Sequence, residues 1–482
     1  MKKMAWSDTQ GAAAVFLAVL FLNLSIRSLF YNFDGVACAI AVELSDFKHL
    51  VHGNHLAYGV LGWCFDKLWR FFGYQGQALL SLQVLDSVLG AAGAAVFSSL
   101  LRRTGRGERE ALLGAAALAV CHAWWFWSLE AQVYMLGAFF AALAAREALS
   151  ENPRPALVGL WHAGAILGHV GHLMALPAMV YVLTRKKGYR EALPYLSSLF
   201  VAVAVPYVCA GLFAVRPQNI DELRLWLLGS AALTTDRSFL WHSVPLSAAI
   251  PAWLGMSLRI FTEFVGRSGF AWSAGVILAV LPLLAAARGA AEKSREAFFW
   301  LLWLAGYALL FIAWEPYTIV YRVSDLLALW ALATLGLKAL PPRLRLGALI
   351  AWTAAAFAFN LAYVVRPAAD PANNPDLVEA EWTKISAPPE AWVLANGRGA
   401  VYIPYFAGRR PLNLRYFTEE KALHAKLDEL SNSGQSVYVS GRTLLEEGLR
   451  AKLERYGRTP VAAAGPLTMF RIARGQQTRN RR

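Results

Sequence analysis

Apolar runs long enough to cross a bilayer recur from residue 12 to residue 364 of this chain. A spanning helix needs roughly 20 mostly apolar residues. Ala12–Phe30 is one such run, and 77–101 (QALLSLQVLDSVLGAAGAAVFSSLL) is another. Composition agrees: 57% of the 482 residues are hydrophobic and 16% are charged, whereas soluble domains carry about 25% charged residues. Mean hydropathy is +0.41. The chain reads as a polytopic membrane protein.

The formal net charge is +14. Its basic residues fall mainly in short loops, a pattern that sets membrane orientation. No basic stripe interleaved with aromatic residues is present, which excludes nucleic acid as a partner. The strongest basic loop is RRTGRGER at 102–109, and the positive-inside rule makes it cytoplasmic, together with Lys2 and Lys3. Residues 32–76 then lie outside. Within them, 55–72 (HLAYGVLGWCFDKLWRFF) is apolar but holds Asp66, Lys67 and Arg70. It reads as a helix lying in the interface rather than spanning. Spans are expected near 11–31, 77–101, 110–127, 131–149, 155–168, 172–184, 191–214, 270–287, 297–313, 318–337 and 345–364, about eleven in all. The segment 215–268 reads as a long outer loop with a helical stretch around 245–264. The first apolar run is too long for a signal peptide and no clear cleavage site follows it, so it reads as an uncleaved helix.

Composition changes after Arg366. RPAADPANNPD is a linker, and short β-like runs follow: WVLA (392–395), AVYIP (400–404), SVYVS (436–440) and LTMFRI (467–472). Helical patterns alternate with them at 418–431 and 443–456. The expected architecture is therefore an all-α polytopic membrane bundle, residues 1–365, with an interfacial-helix loop at 32–76, and a small C-terminal extracytoplasmic α/β domain, residues 366–482. Gly397 and Gly399 suit a turn between two strands, since NGRG is not the dinucleotide-binding pattern. The four cysteines, Cys38, Cys64, Cys121 and Cys209, are scattered without metal spacing and read as buried apolar thiols. A Cys38–Cys64 disulfide has no support beyond a shared side of the membrane.

Ionisable groups are costly in lipid and usually functional. Here most of them map to outer turns: Asp34 and Glu43 in the first loop; His49, His52 and His55 in HLVHGNH; Glu130 and Tyr134 in SLEAQVY; His169 and His172 in GHVGH; and Glu315, Tyr317, Tyr321 and Arg322 in EPYTIVYR. A shared outer cavity explains four such turns with one cause. Bland alternatives stand beside it. Glu43 suits a solvated helix face, Glu130 suits a helix cap, and Trp124, Trp125 and Trp127 suit an interfacial aromatic belt. Arg27 and Asp86 read as a structural ion pair. The three histidines of HLVHGNH offer a metal site, but Gly53–Asn54 interrupts their helical spacing, and a substrate contact fits them better.

These residues resemble the GT-C superfamily of integral-membrane glycosyltransferases, the group of the protein O-mannosyltransferases and the lipid A aminoarabinose transferase. NFDGVACAIAVE…HGNHLAYGVLGWCFDKLWRFFG is similar to that family's first outer loop, although HLAYGVL lacks the prolines of relatives. LEAQVYMLGAFFAALAA is similar to the family's E-x-Y hairpin, and GHVGHLMALPAMVYVL to its His-containing helix. The resemblance covers residues 10–365 and leaves the C-terminal domain unmatched.

It implies an inverting transfer of a sugar from a polyprenyl-phosphate-linked donor to an unidentified acceptor, whether protein, lipid or glycan, in a site surrounded by membrane lipids. Asp34 would be the general base. Arg322 and His172 would stabilise the departing phosphate. Glu43, His52, His55, Glu130, Tyr134, His169, Glu315 and Tyr321 would complete the substrate site. No cofactor is expected. Some relatives need a divalent metal, which only Asp34, Glu43, Glu130 and the histidines could hold here, and metal independence is favoured. A transporter or a glycolipid-binding protein without chemistry is the rival reading. Transporters, however, keep polar sites near the bilayer midplane, and here the cluster lies at one face. The absence of an N-x-[ST] sequon outside the first helix points to a bacterial cytoplasmic membrane.

Overall fold

The computed structural model describes residues 8–228 and 244–474, apart from 418, 447 and 464. Contacts divide the chain into two compact units. One joins Met1–Ser28 to Ala41–Ala369; the other joins Leu29–Ile40 to Asp370–Arg482. The segment Leu29–Ile40, which follows the first helix, therefore groups with the C-terminal residues.

The larger unit is a helical membrane bundle, and every segment expected to span is helical. Among the described residues, seven helices are long and apolar enough to cross a membrane, or eight if one bent pair counts as a span. The remaining expected spans, Tyr134–Ala148, Pro155–Gly168 and Val170–Arg185, are shorter helices. Ala78–Arg103 and Ile319–Ala339 form the interior, 78% and 83% buried over their apolar windows. Tyr189–Val215 is only 11% buried, and its exposed Phe200, Val205, Leu212 and Phe213 suit contact with lipid tails. Helices Gly269–Ala290 and Ile319–Ala339 cross at two glycines. A Cβ on Gly289 would lie 1.9 Å from the Leu332 carbonyl oxygen, and one on Gly336 would lie 2.1 Å from that of Ala285. Small residues at such a crossing let backbones approach, as membrane packing favours.

Ion pairs tie the basic loops together at one end of this unit. Arg106 donates to Glu296 at 2.6 Å and to the Ala331 carbonyl at 2.8 Å. Arg345 pairs with Glu110 at 3.2 Å. The shared end agrees with the expected alternation of loops.

Several expectations are corrected. The first helix is Asp8–Ser25 and ends six residues early; the chain reaches Tyr31 with φ 45°. The expected span 110–127 breaks at Cys121 into Glu108–Val120 and His122–Ser128, bent by 69°. Groups freed by the break find partners elsewhere. Asn360 donates to the Val120 carbonyl at 2.8 Å, and the His122 and Ala123 N–H groups reach the Phe261 and Ile260 carbonyls at 3.0 Å. Such re-satisfaction is what hydrocarbon demands of a broken helix. Trp124, Trp125 and Trp127 are buried in the protein rather than belted around it. Of the cysteines, all free, only Cys121 is buried; Cys64 and Cys209 are exposed. Asp86 does not pair with Arg27. It accepts the Tyr58 hydroxyl at 2.5 Å and the Gln132 N–H at 2.7 Å.

The smaller unit holds a five-stranded sheet in the order β2-β1-β3-β5-β4. Strands β1 (Trp392–Ala395), β2 (Arg410–Asn413) and β3 (Val437–Ser440) are parallel, and β4 (Tyr456–Ala462) and β5 (Met469–Arg474) close one side antiparallel. Leu394, Leu412, Val437, Val439 and Ile472 pack with Leu423, Leu427 and Leu430 of helix Glu420–Asn432. Val393, Ala395, Tyr438 and Met469 pack with Ala387, Ala391 and Ile403. This is an α/β domain as the sequence predicts, with three differences, the first being that β2 and β4 fall where no strand is expected. AVYIP is helical, because Tyr402, Ile403 and Ala407 bury one helical face, and tertiary packing overrides β preference. Gly397, at φ 51°, accordingly turns the chain from a strand into a helix. The stretch 443–456 divides at Gly448, φ 75°, into single turns at Gly441–Leu444 and Leu449–Lys452.

Candidate active site

Within the larger unit, six of the expected site residues converge. Three tethers hold their loop. The Trp226 indole donates to the Val51 carbonyl at 2.8 Å, the Tyr207 hydroxyl donates to that of Gly53 at 2.5 Å, and the Val170 N–H donates to that of Asn54 at 2.8 Å. So fixed, the His52 and His55 rings stack at 4.2 Å. The His169 ring lies 5.0 Å from Tyr134, 5.7 Å from Tyr321 and 6.5 Å from His172, and Tyr134 lies 5.3 Å from Tyr321. Phe311 and Trp314 wall Tyr321 at 5.4 Å and 5.0 Å.

Hydrogen bonds fix two tautomers. His169 Nδ1 accepts the Gly171 N–H at 3.1 Å, and His52 Nδ1 accepts that of Asn54 at 3.2 Å. In a neutral imidazole the proton then sits on Nε2. Each ring therefore offers a donor at Nε2. His55 is pushed well below its ordinary value of 6.5, first by burial and then by the neighbouring His52 and His169 imidazoles. The cluster is thus a set of donors that includes a neutral imidazole.

His172 is buried more deeply. Its Nδ1 lies 2.6 Å from the Tyr307 hydroxyl, and a Cβ on Gly137 would meet its Nε2 at 2.4 Å. The glycine is what admits the ring against the Tyr134–Ala148 helix. His162 supports it, with Nε2 2.8 Å from the His172 carbonyl and Nδ1 2.6 Å from the Tyr195 hydroxyl. Tyr307 and His162 were not found in the sequence. Both sit inside apolar helices, where an ionisable or phenolic side chain is the available signal.

The other expected residues have partners of their own. Arg322, 2% exposed, donates to Asp325 through Nε, to the Trp253 carbonyl at 3.0 Å and to the Ser257 hydroxyl at 2.9 Å, and its guanidinium lies 4.6 Å from the Trp253 ring. Glu43 accepts the Ala78 N–H at 2.8 Å and so caps the Ala78–Arg103 helix. Glu130, fully buried, accepts the Ser28 hydroxyl. Glu315 accepts the Thr318 hydroxyl at 3.1 Å. His49 pairs with Asp46 at 2.6 Å, apart from the His52–His55 stack. Among the described residues, no group of three or more His, Cys, Asp or Glu side chains could hold a metal ion.

Asp34 belongs to the smaller unit. It is exposed, in the first turn of helix Phe33–Leu44, a position that suits a carboxylate. Asn32 accepts its N–H at 3.0 Å and thereby starts the helix. The preceding segment is tightly held. Asn374 donates to the Leu29 and Phe30 carbonyls at 2.8 Å. The Tyr402 hydroxyl lies 2.9 Å from the Phe30 carbonyl and within reach of the Tyr31 carbonyl. Phe406 stacks on Tyr31 at 5.3 Å, and the Arg398 guanidinium covers Phe30 at 4.6 Å.

No family model matches the chain, and no curated protein matches it in sequence. Solved structures do. The ArnT of Cupriavidus metallidurans, bound to undecaprenyl phosphate, aligns with a TM-score of 0.66 over 97% of this chain and 98% of that one, at 14% identity. Its apo state aligns equally well. The chain has the GT-C fold. The oligosaccharyltransferase of Archaeoglobus fulgidus shares this fold with a TM-score of 0.53 and 12% identity, over 96% of this chain and 74% of that one. The likeness covers nearly the whole chain, while identity is low enough for sequence comparison to miss it.

Proposed function

We propose that this protein transfers a sugar from a polyprenyl-phosphate-linked donor to an acceptor hydroxyl or amine at the outer face of a bacterial cytoplasmic membrane. The observation that carries this reading is the end-to-end likeness to ArnT, whose structure holds undecaprenyl phosphate. In the proposed reaction an acceptor oxygen or nitrogen attacks the anomeric carbon and the bond from that carbon to the phosphate oxygen breaks. The polyprenyl phosphate leaves, and the acceptor proton passes to Asp34. An exposed carboxylate at a capped helix start is a suitable base.

The departing phosphate needs hydrogen-bond donors. Arg322 was the expected cation, but it is buried and three of its five N–H donors already serve Asp325, Trp253 and Ser257. We therefore assign the phosphate to His169 Nε2 and the Tyr134 and Tyr321 hydroxyls, which gather on neighbouring turns. His52 and His55 line the same cluster and would contact the sugar. The transfer proposed is metal-independent, and unchanged turnover after chelation tests that point.

Radiolabelled polyprenyl-phosphate-sugar turnover by purified protein tests the reading as a whole. Asp34→Asn should slow the chemical step by roughly 10²–10⁴-fold with donor binding retained. Donor binding without any turnover in the unaltered protein would instead make it a glycolipid-binding relative. For orientation, a membrane-impermeant maleimide should label the exposed Cys64 from the outer side only.

A further inference from the structure

The contacts of the smaller unit assign a task to residues that no sequence motif marks. We propose that Tyr402 and Asn374 are positioning residues for the proton-accepting carboxylate of Asp34, an inference that rests on the reading of Asp34 as the base.

The physical argument begins with backbone polarity. Residues 29–32 form no regular element, and Tyr31 occupies the left-handed region at φ 45°. A non-glycine residue there carries strain and persists only where its surroundings over-determine it. The surroundings here are two buried side chains, Tyr402 at 0% and Asn374 at 2% exposure. Between them they engage three successive carbonyls, those of Leu29, Phe30 and Tyr31. Asn374 also donates to the Tyr402 hydroxyl oxygen at 3.2 Å, so the two act as one clamp. Its other amide atom, Oδ1, accepts the Leu377 N–H at 3.1 Å and caps helix Pro375–Ser386. The clamp is therefore anchored to the start of helix Pro375–Ser386.

What the clamp orients follows along the chain. Tyr31 leads directly into Asn32, whose side chain accepts the Asp34 N–H at 3.0 Å and whose carbonyl accepts the Val36 N–H at 3.1 Å. Fixing the carbonyls of 29–31 fixes where this helix starts, and the start sets where a first-turn carboxylate stands. A base must lie within hydrogen-bond reach of the proton it takes, and a displacement of about 1 Å can cost on the order of 100-fold in rate. Tyr402 and Asn374 thus contribute to chemistry by placing a reacting group rather than by reacting themselves.

Tyr402→Phe removes one hydroxyl and keeps the ring that packs on Phe406. Asn374→Asp keeps the capping oxygen and removes both amide donors. In the full-length purified enzyme each should lower kcat by about tenfold or more and leave the donor KM unchanged. Hydrogen exchange over residues 29–40 should speed up. The decisive readout is a double-variant cycle. In an Asp34→Asn background, Tyr402→Phe should cost nothing further, because a positioning residue acts only through the group it positions. An equal additional loss in that background would make Tyr402 merely structural and overturn the inference. Wild-type kcat in both single variants, with Asp34→Asn slow, would overturn it alone and leave the base in place. Normal transfer by Asp34→Asn would remove the base reading and this inference with it.

Discussion

Glu43 Oε1 accepts the backbone N–H of Ala78 at 2.8 Å, from 35 residues away in sequence. The Ala78–Arg103 helix begins at Gln77, whose own side chain makes no cap. The first N–H groups of any helix lack internal partners, and here a remote carboxylate supplies one, at the helix end where negative charge is favoured. This separates the two acids of the first loop. Glu43 is a cap for one of the two most buried of the long apolar helices, and Asp34 stands at a helix start.

Glu43→Ala should therefore lower stability by about 1 kcal/mol, the usual worth of an N-cap acceptor, while Glu43→Gln, which keeps an acceptor oxygen, should lose less. Neither should slow the chemical step as Asp34→Asn does. Thermal unfolding in detergent beside single-turnover transfer would check this. Abolished transfer by a stably folded Glu43→Gln would transfer the role of base to Glu43.

His55 gives a dependence on pH whose sign can be worked out. Its folded-state value lies well below 6.5, because burial and the His52 and His169 imidazoles disfavour the charged ring. An unfolded chain binds this proton near pH 6.5 and the folded one does not. Between those two values the unfolded state holds more protons, so stability falls as pH drops below about 6.5 and is fully present above it. His55→Gln removes the titration and should flatten that part of the profile. Unfolding midpoints of both proteins between about pH 8 and about pH 5 would show the difference. Identical slopes in the two would rule out His55 as the source.

The sequence made the spans, the basic loops and three of the four β-like runs legible, because hydropathy and period are local properties. It also singled out the imidazoles and tyrosines whose rings the structure brings near one another. Partnership was harder to see. Asp86 stood out as a charge in an apolar helix, but Tyr58 and Gln132, not Arg27, proved to be its partners. Tyr402 was hidden inside a run that reads as a strand, and nothing near it in sequence points to the Phe30 carbonyl 372 positions before it. The Trp124–Trp127 stretch looked like an interfacial belt because a buried indole and an interfacial one are the same residue until the packing around them is known. Long-range contacts decide all three, and local pattern carries none of them.

One pairing was within local reach, since Asp325 follows Arg322 by three positions and both lie on one helical face. Their side chains are 3% and 1% exposed, and the guanidinium meets the carboxylate through Nε. Removing one member of a buried pair strands a charge, at roughly 3–5 kcal/mol, whereas replacing both by apolar groups of similar volume is often neutral. Arg322→Met and Asp325→Leu should thus each destabilise strongly, and Arg322→Met/Asp325→Leu should recover most of the loss. If Arg322 is structural, that double variant should bind donor and turn it over at a rate near the unaltered protein's. If Arg322 holds the donor phosphate, the double variant should be stable yet bind donor at least tenfold more weakly, since a charge-assisted contact is worth about 1.5–3 kcal/mol. Measuring unfolding and donor affinity on the same three preparations separates these outcomes, and a stable double variant that binds no donor would return the phosphate to Arg322 and away from the His169–Tyr134–Tyr321 cluster.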